Sequence, residues 1–180
     1  AKRRMTFSLR TTLLIAFPWA IGMCVLADPI LKMLFPNAYA PEATLLLQIS
    51  SFTIIFTLMN QTLGGALQGL GKVYVPAISL AIGAIIKLLS NLALIPNAGI
   101  GVFGGINGAA ISSVMASGIA MSINLIVLRN TIKLDMDTVQ TIVKPLIATL
   151  LMGIAANFSY LFANNYFGNA ISTIIAICVA

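Results

Sequence analysis

The chain has 180 residues, of which 59% are apolar and 8% charged, against about 45–50% and about 25% in soluble globular domains. A mean hydropathy of +1.03 and that composition exclude an ordinary soluble domain. The formal charge of +6 comes from ten Lys and Arg against four Asp and Glu, and these bases are scattered over short loops without clustered aromatics, which argues against a nucleic-acid partner.

Stretches without Asp, Glu, Lys or Arg run from Thr11 to Ala27, Ala43 to Gly71, Leu88 to Leu128 and Pro145 to Ala180. A helix needs about 20 such residues to cross a bilayer. Outer-membrane strands would show segments of about 10 residues alternating apolar and polar, whereas these runs are solidly apolar. The expectation is an all-α, polytopic helical membrane protein with a single membrane-embedded region over 1–180.

The first span is expected at about 11–27, closed by Asp28-Pro29 and kinked at Pro18, which lacks a backbone donor. Ile30 to Phe35 is too short to cross and is expected at the interface, between Asp28 and the Pro36-Asn37 turn. The second span covers about 43–70, and Gly69-Leu70-Gly71-Lys72 with Pro76 predicts a short turn into a third at about 73–95, stopped by Pro96. The glycine-rich stretch from Asn97 to Gly105 predicts a shallow loop before a fourth span at about 106–128. A fifth follows at about 145–162, and Asn164 to Asn169 turns the chain into a sixth, incomplete at 170–180. Ala1 opens the chain and Ile174 to Ala180 stops within an apolar run, so a C-terminal piece of a larger protein is expected. Lys2 to Arg10 precedes a stretch that continues into further spans without a convincing cleavage site, so no signal peptide is read.

Lys2, Arg3, Arg4, Arg10, Lys72, Arg129, Lys133 and Lys144 fall on one set of alternate loops, eight of the ten bases, while the opposite loops carry Lys32. The positive-inside rule places the eight in the cytoplasm, so the Lys72 turn and the Arg129–Lys144 loop face inward, and Glu42 and Gly99 face out.

Catalysis finds little support. The chain has no His, and Asp28, Glu42, Asp135 and Asp137 stand at loops or span ends, so no ligand set for a water-activating metal is apparent. Asp135 and Asp137 beside Lys133 read as a solvated loop rather than an acid and base pair. Cys24 and Cys178 lie in apolar runs and suggest neither a disulfide nor a metal site. No enzyme and no cofactor are expected.

The remaining base, Lys87, falls inside the third span, where a Lys near the centre costs about 2.5–3.5 kcal/mol on insertion scales and usually faces a protein interior or wet cavity. Ser79, Gly83, Lys87 and Asn91 recur every four residues, with Ser90 adjoining, and predict a polar cavity wall. The plain alternatives are that Lys87 snorkels to the outer interface or pairs with a carboxylate elsewhere in the protein. On the second span, Thr57, Gln61, Gly64 and Gln68 share a face, with Gln61 and Gln68 either contacting substrate or bonding neighbouring helices. On the fourth span, Gly108, Ser112, Ala116, Ala120 and Asn124 recur every four residues and predict a close-packing face, while Gly65 and Gly69 carry a weaker GxxxG signal.

Leu67-Gln68-Gly69-Leu70-Gly71-Lys72, then Pro76, Gly83-Ala84-Ile85-Ile86-Lys87, Asn91, Leu94-Ile95-Pro96 and Gly108-Ala109-Ala110-Ile111 give the chain a family likeness. It resembles the C-terminal region of stage V sporulation protein B-like polysaccharide biosynthesis proteins, within the multidrug, oligosaccharidyl-lipid and polysaccharide exporter superfamily. The likeness covers nearly the whole chain and is most specific from Leu67 to Ile111; Gly99 to Gly108 is longer than the family pattern. It implies about six spans forming part of the second of two pseudo-symmetric bundles, completed by an N-terminal bundle of the same protein. It further implies a cell-membrane flippase working by alternating access on an undecaprenyl-linked sugar for cell wall or surface polysaccharide, as in sporulation or peptidoglycan precursor export. Substrate-path residues would then be Lys87, Asn91, Ser79, Gln61 and Gln68. A multidrug exporter of the same superfamily and a membrane-embedded glycosyltransferase or polymerase are the alternatives.

Overall fold

The computed structural model describes residues 2–36, 40–96, 105–132, 144–164 and 173, and among them all regular structure is helical. Six helices follow in order: α1 Lys2–Val25, α2 Ala27–Leu34, α3 Pro41–Gly69, α4 Tyr74–Leu94, α5 Gly105–Ile132 and α6 Lys144–Asn164. Four contain stretches long and apolar enough to cross a membrane: Met5–Val25, Pro41–Gly69, Tyr74–Leu94 and Gly105–Ile132. The apolar part of α6, Pro145–Tyr160, is shorter. The expected sixth span at 170–180, the glycine-rich loop and the Lys133–Asp137 stretch lie outside the described residues, apart from Thr173, which is buried.

α1 starts well before the first apolar run and continues through Pro18. Lys and Arg are good helix formers, so the helix outlasts the span at its basic end. The expected stop at Asp28-Pro29 is corrected: the interruption falls at Leu26, and α2 already contains Asp28 and Pro29. Leu26 N–H still donates to Gly22 O and Ile30 N–H to Leu26 O, both at 2.9 Å, so backbone bonding carries across the junction. Proline in a first turn lacks a donor that would have no partner there, and an acid in that turn faces the positive helix end, so both residues suit a start better than a stop. With 8 residues α2 is too short to span a bilayer. Its Lys32–Asp28 pair, 2.6 Å across one turn, is exposed on both sides and adds a few tenths of a kcal/mol at most.

Pro41 opens α3 after the extended residue Ala40, and Glu42 occupies its first turn, both favourable at a helix start. Its end is fixed as firmly. Lys72 N–H donates to Leu67 O and Gly71 N–H to Gln68 O, each at 2.9 Å, with Gly71 at φ 79°. This is a Schellman cap, in which a left-handed glycine satisfies the last carbonyls. α4 begins three residues later, so α3 and α4 are neighbours running in opposite directions. Lys72 Nζ donates to Thr131 Oγ1 at 2.9 Å, tying the end of α5 to the same turn. α5 reaches Ile132, about one turn beyond the expected Leu128.

α3 is the organising helix. It packs against α1, α2, α4 and α5; α5 also packs against α4, and α1 against α6. The seam joining α1 and α3 buries Leu9, Leu13 and Phe17 against Met59, Leu63 and Leu67, with Leu128 of α5 completing the cluster. These are rows of every fourth residue on both helices, the ridges through which helices interlock. Elsewhere α4 exposes Ile78, Ile85, Leu88 and Leu92, and α6 exposes Leu151, Ile154 and Phe158, as expected of surfaces whose solvent is lipid.

Candidate functional site

Where α3, α4 and α5 meet, the packing changes character. Asn124 of α5 is 1% exposed and Ser79 of α4 fully buried. The Ser79 hydroxyl lies 2.9 Å from Asn124 Oδ1 and 2.9 Å from Pro76 O. Asn124 Nδ2 donates to Asn60 Oδ1 at 3.0 Å, and Asn60 Nδ2 donates to Ser117 O at 2.9 Å. One chain of hydrogen bonds thus crosses three helices, and each amide in it is used as both donor and acceptor. Further along the α4–α5 contact, the Ser112 hydroxyl lies between Asn91 Oδ1 and Gly108 O.

Small residues allow this closeness. Gly108, Ala116 and Ala120 are buried on α5. A Cβ placed on Gly83 of α4 would meet Ala116 O at 3.0 Å and Ala120 Cβ at 3.5 Å. A Cβ on Gly64 would meet Pro76 at 3.5 Å, while Gly65 and Gly69 have nothing within 4 Å. The GxxxG spacing of the latter pair makes no packing contact among the described residues.

Beside the hydrogen-bonded chain opens a cleft of about 570 Å³. α3 contributes Thr53, Thr57, Asn60, Gln61 and Gln68; α4 contributes Leu80, Ala84 and Lys87; α5 contributes Ser113 and Ser117. Lys87, Gln61, Gln68 and Thr57 are exposed to it, and their side chains make no hydrogen bond or ion pair among the described residues. Thr53 Oγ1 is buried at the cleft wall with no partner there. An ammonium group offers three donors and no acceptor, and each glutamine amide offers both. The cleft therefore presents one lysine side chain and several hydrogen-bonding groups uncommitted among the described residues.

The five expected substrate-path residues divide between two settings. Lys87, Gln61 and Gln68 meet in the cleft. Ser79 and Asn91 turn toward α5, where their side chains bond Asn124 and Ser112. The four-residue stripe on α4 is thus mainly its contact with α5, with Lys87 at the cleft edge. All four expected packing residues, Gly108, Ser112, Ala116 and Ala120, are buried. Asn60 escaped sequence reasoning because the series Thr57, Gln61, Gly64, Gln68 passes beside it. A third amide within nine residues of α3, one helical step from Gln61, was the signal available.

Membrane-length helices packed around a cleft that carries polar side chains define a polytopic helical membrane protein. The MatE family matches residues 1–93, and the chain belongs to that family of membrane transporters. It is similar to "Uncharacterized membrane protein YabM" of Bacillus subtilis (strain 168), 29% identical over 159 residues, 88% of this chain and 28% of that protein. The chain therefore spans little more than a quarter of this curated relative. No solved structure matches the chain.

Proposed function

We propose that the chain forms part of the second bundle of a two-bundle exporter in the cell membrane, and that this exporter flips a lipid-linked oligosaccharide by alternating access. One observation carries the reading. Among closely spaced polar groups, those of the Asn60–Asn124–Ser79 chain satisfy one another, whereas Lys87, Gln61 and Gln68 face the cleft without a partner among the described residues. A Lys within a span is costly to insert, and a cavity-facing position with a ligand to meet accounts for that cost. Its ammonium suits a lipid phosphate or pyrophosphate, and the neighbouring amides suit sugar hydroxyls. A multidrug exporter of cations gains nothing from a lysine on its cleft. The missing N-terminal bundle would supply the opposite wall, with an undecaprenyl-linked sugar as substrate and membrane lipids around both bundles.

The test is flipping of a lipid-linked sugar in vesicles holding equal amounts of full-length wild type, Lys87→Met and Lys87→Arg. Methionine keeps length and removes charge, so translocation should fall at least tenfold while insertion persists. Arginine should retain part of the activity, since it binds phosphate with different geometry. Normal transport by Lys87→Met rejects the reading. The Lys72 turn is cytoplasmic on this reading and Glu42 outside. An impermeant thiol reagent on intact cells should label Glu42→Cys and spare Lys72→Cys; the reverse pattern inverts the topology.

A further inference from the structure

The cleft groups that have no partner among the described residues lie at different depths, and the difference is chemical. At 1.5 Å per residue along a helix axis, Lys87 stands about 20 Å from the start of α4 at Tyr74, beside the α3–α4 turn. Counted back from the other side of the same turn, Gln61 stands about 12 Å from Gly69 and Gln68 about 2 Å. All three line one continuous cleft. The two amides therefore lie nearer the turn, while the charge stands about 20 Å from it, at about the level of the Thr57 hydroxyl and short of Thr53 at about 24 Å.

Resting on the flippase reading above, we infer that the cleft holds its ligand in one orientation, with the anionic group at Lys87 and the neutral, hydroxyl-rich part lying toward the turn. Gln61 and Gln68 are then the residues that select for a sugar. A buried anion needs an opposite charge as well as hydrogen bonds, which an amide cannot supply. A hydroxyl both donates and accepts, which the ammonium cannot match and a carboxamide does. The two ends thus recognise different parts of one molecule, and Lys87 is indifferent to what the phosphate carries.

The test measures binding of two probes to full-length protein in vesicles, a polyprenyl pyrophosphate with an attached disaccharide and the same lipid pyrophosphate without sugar. Replacing both amides, Gln61→Leu with Gln68→Leu, removes neutral hydrogen bonds worth about 0.5–1.5 kcal/mol each, so affinity for the sugar-bearing probe should fall about 10-fold. Affinity for the sugar-free probe should stay within about twofold of wild type, a change well under 1 kcal/mol. Lys87→Met should weaken both probes by a similar factor. Both glutamines are exposed in the cleft, so the fold should tolerate leucine; Gln61→Ala with Gln68→Ala repeats the test without added bulk. Equal loss for the two probes in the glutamine variants, or no loss for the sugar-bearing one, overturns the assignment while leaving the flippase reading intact. Failure of wild type to bind either probe removes both.

Discussion

The α1–α3 seam and the α4–α5 seam follow the same four-residue repeat and carry opposite chemistry. In the first, Leu9, Leu13 and Phe17 meet Met59, Leu63 and Leu67. In the second, Ser79, Gly83 and Asn91 meet Ser112, Ala116, Ala120 and Asn124. Large apolar side chains are nearly as comfortable in lipid as against a neighbouring helix, so such a seam depends on interlocking shape. Small residues bring the second pair of backbones close, and its polar side chains pair in one register. The polar seam sets the position of α4, and with it the level at which Lys87 enters the cleft.

The strongest way to break the second seam is Gly83→Leu. Its Cβ alone would stand 3.0 Å from the Ala116 backbone oxygen, and backbone cannot yield as a flexible side chain would. The helices must separate, adding loss of the Ser79–Asn124 and Asn91–Ser112 bonds to an overpacking cost of about 1–3 kcal/mol. Folded, monodisperse protein recovered from membranes should drop sharply, whereas Gly65→Leu, with nothing within 4 Å of its Cβ, should be recovered at wild-type levels. Equal recovery of the two variants would refute the close-approach account.

Next comes Leu63→Ala in the apolar seam, where Leu63 is fully buried. Leu→Ala in soluble cores costs about 2–5 kcal/mol, which is an upper bound here because a leucine released from the seam passes into lipid rather than water. Thermal unfolding in detergent should show a clear loss, larger than that of Asn124→Ala.

Asn124→Ala should cost about 0.6 kcal/mol and no more than about 1.7, the range for interhelical hydrogen bonds in membranes. A double-mutant cycle with Asn60→Ala should show positive coupling, since each leaves the other's amide without its partner. Additive effects would mean that the 3.0 Å contact contributes nothing to stability.

The smallest change is expected for Lys72→Met, which removes an exposed hydrogen bond to Thr131. Exposed substitutions of this kind stay within about 0.5 kcal/mol, so unfolding should be unchanged. A large loss would mean that the turn, rather than the polar seam, holds α5 against α4.

Much of the layout was legible in the residues. The expected start at 43, Gly69-Leu70-Gly71 and Pro96 bracket α3 and α4 to within one or two positions, because helix caps and stops are local chemistry. The Leu26 junction was less legible, since Asp28-Pro29 serves as a helix stop in one context and a helix start in another. On α5 the repeat of small residues coincides with the buried positions, because every fourth residue shares a face whatever the neighbour.

The sequence by itself determined that the chain is built of apolar helices of membrane length and which residues share a stripe, because bilayer thickness and backbone hydrogen bonding act on each segment separately. Only the tertiary structure decided which polar groups are consumed by packing and which stay free. Asn60 and Gln61 are adjacent amides on one helix and both line the cleft, yet the first bonds Asn124 and Ser117 while the second bonds nothing among the described residues. A rotation of about 100° per residue separates them, and the outcome depends on where α4 and α5 stand, which no local pattern encodes.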